Sequence, residues 1–250
     1  MERLTLAAVL GGAAVALSAC GGGSSDTARP PAAPAATSPA ATTPGSATPT
    51  SSPSATASAR PQAFTAKISK IPSRATVKYS WHAGCPVGLD GLRLIRMTYW
   101  GMDHKPHEGE MVVNAHVASK IVSVFHKLYD QRYPIRRMEL VDKYKGSDFD
   151  SIEADNTSAF NCRNATGSSN WSQHAYGLAV DLNTCENPYV HSNGHIEHPR
   201  CVKYGNRKRK DPGVIHAGDK VVRAFRSIGW GWGGSWGGPW DFQHFSANGH

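Results

Sequence analysis

Between Gly21 and Ala63 the chain is built almost wholly from Ala, Pro, Thr, Ser and Gly, and eight of its 16 prolines fall between Pro30 and Pro61. A stretch of that kind buries too little apolar surface to offset its ordering entropy, so it reads as an extended, disordered linker. The change in composition at Phe64 therefore confines any packed core to residues 64–250, a length suited to one domain.

What precedes the linker is a leader. Residues 4–19 form an apolar run behind Arg3, too short for a comfortable membrane span and followed by small residues. The ending Leu17-Ser18-Ala19-Cys20 resembles a bacterial lipobox, which makes residues 1–19 a lipoprotein signal peptide and Cys20 a lipidated N-terminus. The alternative is an ordinary signal peptide with an incidental cysteine. Either way the protein is expected outside the cytoplasm. With the lipid it is anchored to the cell membrane of a bacterium, facing the wall, and residues 20–63 give the domain reach.

The formal net charge is +8 and the pI about 9.3, with a sharp cluster at Arg207-Lys208-Arg209-Lys210. Beside a secretion signal, nucleic acid is excluded as a partner; an anionic wall polymer or lipid headgroup remains, against a plain solvated basic loop. A monomer is expected. Setting Cys20 aside leaves Cys85, Cys162, Cys185 and Cys201. An even number in an oxidising compartment fits two disulfides in any of three connectivities, Cys85 with Cys162 and Cys185 with Cys201 among the pairings. A four-cysteine zinc site is the rival, without a close C-x-x-C pair to support it.

Within the domain, residues 92–100 are rich in β-branched, aromatic and apolar types and predict a strand, paired with 110–114 across a turn at 101–109. Val117, Ile121, Val124, Phe125 and Leu128 recur at helical spacing and predict a helix over 115–130. Residues 138–142 predict a further strand, 143–171 a long functional loop, 177–183 a buried strand, 184–216 another loop and 219–228 a helix. Helices and strands interleave without regular βαβ repeats. The fold class predicted is α+β, a small and mainly antiparallel sheet with flanking helices.

Two motifs carry the chemistry. The first runs from Ser172 through His174 and Gly177 to Asp181; the second is Trp240-Asp241-Phe242-Gln243-His244-Phe245. On a strand, Gly177, Ala179 and Asp181 share one face and Leu178, Val180 and Leu182 the other, so a carboxylate stands beyond two small residues with room for an ion. His174, Asp181 and His244 make a set of two imidazoles and one carboxylate, the three-ligand pattern of a catalytic zinc that leaves one position to water. Asp241 would then be the general base and acid, provided the chain turns between 241 and 244. Ser172 lacks the Gly-x-Ser-x-Gly setting of a nucleophile and reads as orienting a ligand or the substrate. The Trp- and Gly-rich ending, Trp230 to Phe245, reads both as a wall beside Asp241 and His244 and as core packing. His104, His107, His116, His126, His191, His195 and His198 read as ordinary surface or structural groups.

These elements, Ser-x-His-x-x-Gly-x-Ala-x-Asp and Asp-x-x-His-Phe, resemble those of the bacterial zinc D,D-carboxypeptidases and L-alanyl-D-glutamate endopeptidases, whose fold is shared with the Hedgehog signalling domain. The similarity extends over about 85–246 and takes in Gly84-Cys-Pro-Val87, 155–163 and 186–190. It implies one zinc ion on His174, Asp181 and His244, Asp241 as the catalytic acid/base, and peptidoglycan as the substrate. It also implies an arginine upstream of the first motif that steadies the substrate carbonyl and its developing oxyanion. Arg163 fills that place better than Arg136 or Arg137. The expected activity is hydrolysis of an amide bond in a stem peptide, as D-Ala-D-Ala carboxypeptidase or L-Ala-D-Glu-type endopeptidase. The competing expectation is a zinc-containing, non-catalytic wall-binding lipoprotein, against which the Asp241 carboxylate counts.

Overall fold

The computed structural model describes residues 62–250, so the expected signal segment, Cys20 and nearly all of the linker lie outside the described residues. The domain starts with an edge strand, Ala66–Lys70 (β1), that the sequence reading missed because its Ala-Lys-Ile-Ser-Lys run is polar and exposed. It pairs antiparallel with Leu92–Gly101 (β2), which turns through 102–105 into Pro106–Asn114 (β3). The second strand is thus four residues longer than predicted at its start, and the turn correspondingly tighter. Pro134–Ile135 (β4) lies parallel to the end of β2, from Trp100↔Pro134. The sheet is mainly antiparallel and the domain α+β, as its sequence predicts.

β2 is apolar rather than alternating because both of its faces are covered. Ile95, Met97 and Tyr99 face the helix Ala118–Asp130 (α1), while Leu92 and Leu94 face a second cluster with Val77, Val112 and Phe160. α1 ends the hairpin as its apolar spacing predicts, burying Ile121, Val124, Phe125 and Leu128.

The segment 138–142 is not a strand. It makes one parallel bridge, Met138 to Thr157, and then winds into a 3₁₀ turn at Val141–Tyr144. Its backbone is satisfied by a side chain instead of a ladder: the Asn156 amide accepts from Glu139 N (3.0 Å) and donates to Glu139 O (3.0 Å). The predicted loop 143–171 contains a short helix, Asp148–Glu153 (α2), with the Ser147 hydroxyl accepting Asp150 N–H at its start. Six residues, mostly polar, give too little periodicity to be seen.

The remaining strands are brief. Ala179–Asp181 (β5) precedes Tyr189–Val190 (β6), then the helix Lys220–Arg226 (α3), Gly231–Trp232 (β7), Trp240–Asp241 (β8) and His244–Ser246 (β9). One small sheet has the order β5-β9-β7, and β6 pairs with β8. Only part of the predicted strand 177–183 is extended, since Gly177 ends a 3₁₀ turn with φ +65°. A Cβ there would stand 2.5 Å from Asn114 N, so glycine is required both by the dihedral and by the close approach of β3. β9 is locked to the core by Phe245, which is fully buried and stacks on Phe225 of α3 at 4.0 Å.

The four cysteines form two disulfides, Cys85–Cys162 and Cys185–Cys201, which removes the four-cysteine metal site. The basic cluster is also not one solvated patch. Arg207 turns inward, donates to the carbonyls of Glu186, Tyr204 and Ile215 and to Asn187 Oδ1, and lies 4.2 Å over the Phe242 ring. Arg209 pairs with Asp211, leaving Lys208 and Lys210 exposed. Arg136 is used up in the same way, at 3.3 Å from both Asp155 and Glu186. Burial and the neighbouring Asp155 charge push the Glu186 carboxyl up to about 8, which Arg136 only partly offsets.

Two measurements test this packing. Phe245→Ala should lower unfolding free energy by about 3–5 kcal/mol in denaturant titrations, the range for a buried phenylalanine. Glu186 holds its proton in the folded state well above the ordinary carboxyl value of 4.5. Folding therefore binds a proton, and stability falls as pH rises from about 5 to about 8. Glu186→Gln should flatten that part of the stability profile; an unchanged slope would rule Glu186 out as its source.

Candidate metal centre

The backbone of residues 158–163 gathers the first motif. Ser158 and Asp181 exchange both backbone hydrogen bonds (3.0 and 2.9 Å), Asn161 N–H donates to His174 O (3.2 Å), and Ser172 N–H donates to Arg163 O (3.1 Å). The alternate residues point away. Phe160 enters the second core cluster and Cys162 enters its disulfide. His174 itself lies on a 3₁₀ turn, Gln173–Tyr176, that Ser172 caps by accepting His174 N–H at 3.3 Å. Asn114 holds the far side of that turn through Gly177 O and Tyr176 O. Ser172 thus acts on the backbone of the imidazole-bearing turn.

Asp181 and His244 are directly opposite residues of the β5–β9 ladder, so their side chains share a face. The chain turns through Phe242 and Gln243, and β8 and β9 join different partners, so Asp241 and His244 both reach the same cleft. This is the turn that the Asp-x-x-His spacing predicts.

Donor atoms of three side chains converge. His174 Nε2 is 3.2 Å from Asp181 Oδ2 and 3.2 Å from His244 Nδ1, and His244 Nδ1 is 3.1 Å from Asp181 Oδ1. All three residues are buried. Tetrahedral zinc with bonds of about 2.0–2.1 Å needs ligand atoms about 3.3 Å apart, and each of these contacts, made through one Asp181 oxygen or the other, is close to that spacing. The tautomer fits as well. His174 Nδ1–H donates to Ala159 O, which leaves the Nε2 lone pair facing the triangle. Burial opposes charge on both groups, yet Asp181 raises the His174 pKa, and the two imidazoles hold Asp181 far below the usual carboxylate range. The set has the donors to hold a cation. A second cluster of possible donors, His82, Cys85 and Cys162, carries no such meaning because its sulfurs are joined.

These residues open on a cleft of about 500 Å³ that is also lined by Arg163, Ser172 and Asp241. Burial pushes the Asp241 carboxyl up to about 7, with Asp181 and Asp148 adding and His244 and Arg163 opposing. Its Oδ1 is buried with no hydrogen-bond partner. Arg163 does face the cleft, but its guanidinium is 2.8 Å from Asp148 Oδ2, a carboxylate that the sequence reading did not single out. Trp236, with its ring 5.8 Å from His244, belongs to the cleft wall, whereas Trp230 and Trp232 are buried in the core. His191 and His198, read as ordinary loop groups, line the cleft too, as do Tyr189 and Gln243. Tyr189 was reachable only through the β6–β8 pairing, which two-residue strands do not announce.

Residues 166–247 match the model of a family described as D-alanyl-D-alanine carboxypeptidase. The resemblance drawn from the two motifs is borne out over that segment, and with it a carboxypeptidase-like peptidase. No curated protein and no solved structure matches the chain.

If the triangle is one metal site, calorimetric titration of the chelator-stripped full chain with Zn²⁺ gives a stoichiometry of one, accompanied by a rise in melting temperature. His244→Ala should lose both. Retained stoichiometric binding in that variant would place the ion elsewhere.

Proposed function

We propose that the protein is a zinc-dependent peptidase that hydrolyses an amide bond in peptidoglycan stem peptides. The observation that carries the reading is the pairing of three converging donor atoms with a buried, unpartnered carboxylate oxygen of Asp241 in one cleft. A ligand cluster alone would suit a structural ion. An acid left without partners beside it suits proton transfer, which favours an enzyme over a wall-binding module.

When bound to His174, Asp181 and His244, zinc supplies Lewis acidity to the scissile carbonyl and lowers the pKa of water towards about 7. Asp241 Oδ1 accepts the proton that the attacking water loses, and the same carboxyl returns it to the leaving nitrogen as the C–N bond breaks. A group poised near neutrality serves both transfers, being neither too weak a base nor too weak an acid. Arg163 steadies negative charge on the substrate, held in place by Asp148 and by the disulfide at the preceding Cys162. Ser172 keeps the His174 turn in register. The lipobox-like ending at Cys20 and the linker behind it support an enzyme tethered outside the cytoplasmic membrane and reaching the wall.

Asp241→Asn should abolish product release from sacculi, read by mass spectrometry, while binding zinc as the wild type does. A loss of about 10²-fold or more is expected for a general base. Undiminished turnover would remove Asp241 from the reaction, and a wild-type protein that binds sacculi without releasing products would turn the reading to a binding module.

A further inference from the structure

Hydrolysis of an amide places negative charge on the carbonyl oxygen, and an enzyme gains most from donors already aimed at that position. Arg163 alone is an incomplete donor here. One terminal nitrogen faces Asp148 at 2.8 Å, the other donates to Asn164 O at 3.1 Å, and its Nε is buried without a partner. Much of its donor capacity and charge is committed to the protein before substrate arrives.

The opposite strand supplies what that wall lacks. Tyr189 on β6 is the direct cross-strand partner of Asp241 on β8, so the two side chains leave the ladder on the same face. Both line the cleft. The Tyr189 ring packs edge-on against His191 at 4.9 Å, which limits its rotation. Its hydroxyl has no hydrogen-bond partner among the described residues. Burial and the facing Asp241 charge raise its pKa above the ordinary phenol value, so it keeps its proton at any working pH. A half-buried phenol with its donor unused, fixed beside the proposed base, is well placed to meet the reacting carbonyl.

Resting on the peptidase reading above, we propose that Tyr189 is a catalytic residue whose O–H donates a hydrogen bond to the carbonyl oxygen as it becomes an oxyanion. Water oxygen bonds to the carbonyl carbon, the π pair moves onto oxygen, and the water proton goes to Asp241. When the pair returns, the C–N bond breaks and Asp241 protonates the nitrogen. The phenol holds its own proton throughout, strengthening its hydrogen bond only while the charge exists. That pattern lowers the barrier without tightening substrate binding.

The test is Tyr189→Phe in the full chain, assayed on purified muropeptides across pH, with zinc content and melting temperature measured alongside. We expect kcat to fall about 10²- to 10³-fold, as for loss of one oxyanion donor, with KM, zinc content and melting temperature close to wild type. The acid limb of the pH profile should stay where it is. Unchanged kcat would overturn the proposal. So would a shifted acid limb, which would make Tyr189 a positioning residue acting through Asp241, or a rise in KM alone, which would make it a binding group. A wild-type protein inactive on every muropeptide would sink the peptidase reading itself, a separate outcome from any of these.

Discussion

His174 and Asp181 meet because both are hydrogen-bonded to one stretch of backbone. Residues 158–163 pair with Asp181 at one end and with the turn carrying His174 further along, and they accept the imidazole Nδ1–H at Ala159. The same stretch is pinned from behind: Phe160 N–H donates to Val112 of β3, and Cys162 is bonded both to Ser80 O and to Cys85. Alternate residues thus face the core and the site, and the long hairpin transmits its rigidity to the ligands. Positional precision in a metal centre comes from such supporting contacts more than from the ligands themselves.

Electrostatics explains why the centre asks for an ion. Asp181 and two imidazoles lie within hydrogen-bond distance in a buried place, and the charge of the Asp181 carboxylate is offset by those two rings. Asp241 differs. It stands close enough to feel Asp181 and Asp148, with no hydrogen bond on Oδ1, and its carboxyl titrates near neutrality. Asp181, held far below the usual carboxylate range, and Asp241, pushed up towards neutrality, are driven apart in pKa by their surroundings, and this separation marks distinct chemical tasks.

The sequence made the convergence of His174, Asp181 and His244, the place of Asp241 in their cleft, the long hairpin, α1 and α3 legible, because each has either a motif or a clear apolar period. It hid β1, whose exposed polar alternation lacks an apolar face, and α2, whose six residues are too few for a period. It misread 138–142, where a β-rich composition is overruled by the Asn156 side chain. Asp148 and Tyr189 were invisible for a different reason. Their relation to Arg163 and Asp241 exists only in space, across an ion pair and a two-residue ladder. Arg207 looked like part of a charged surface, since nothing in a run of four basic residues tells which one will find four oxygen acceptors and an aromatic face.

The direct opposition of Asp181 and His244 carries one more implication. Successive side chains of β9 alternate between the cleft, at His244, and the interior, at Phe245. Sliding that strand by a single position would drive an imidazole into an oily layer and present a benzyl group to the ion. A cation seated there would act as a proofreader of chain alignment: loading it would reward only the correct threading of the C-terminal segment, so that assembly of the chemistry and verification of the fold would become the same event.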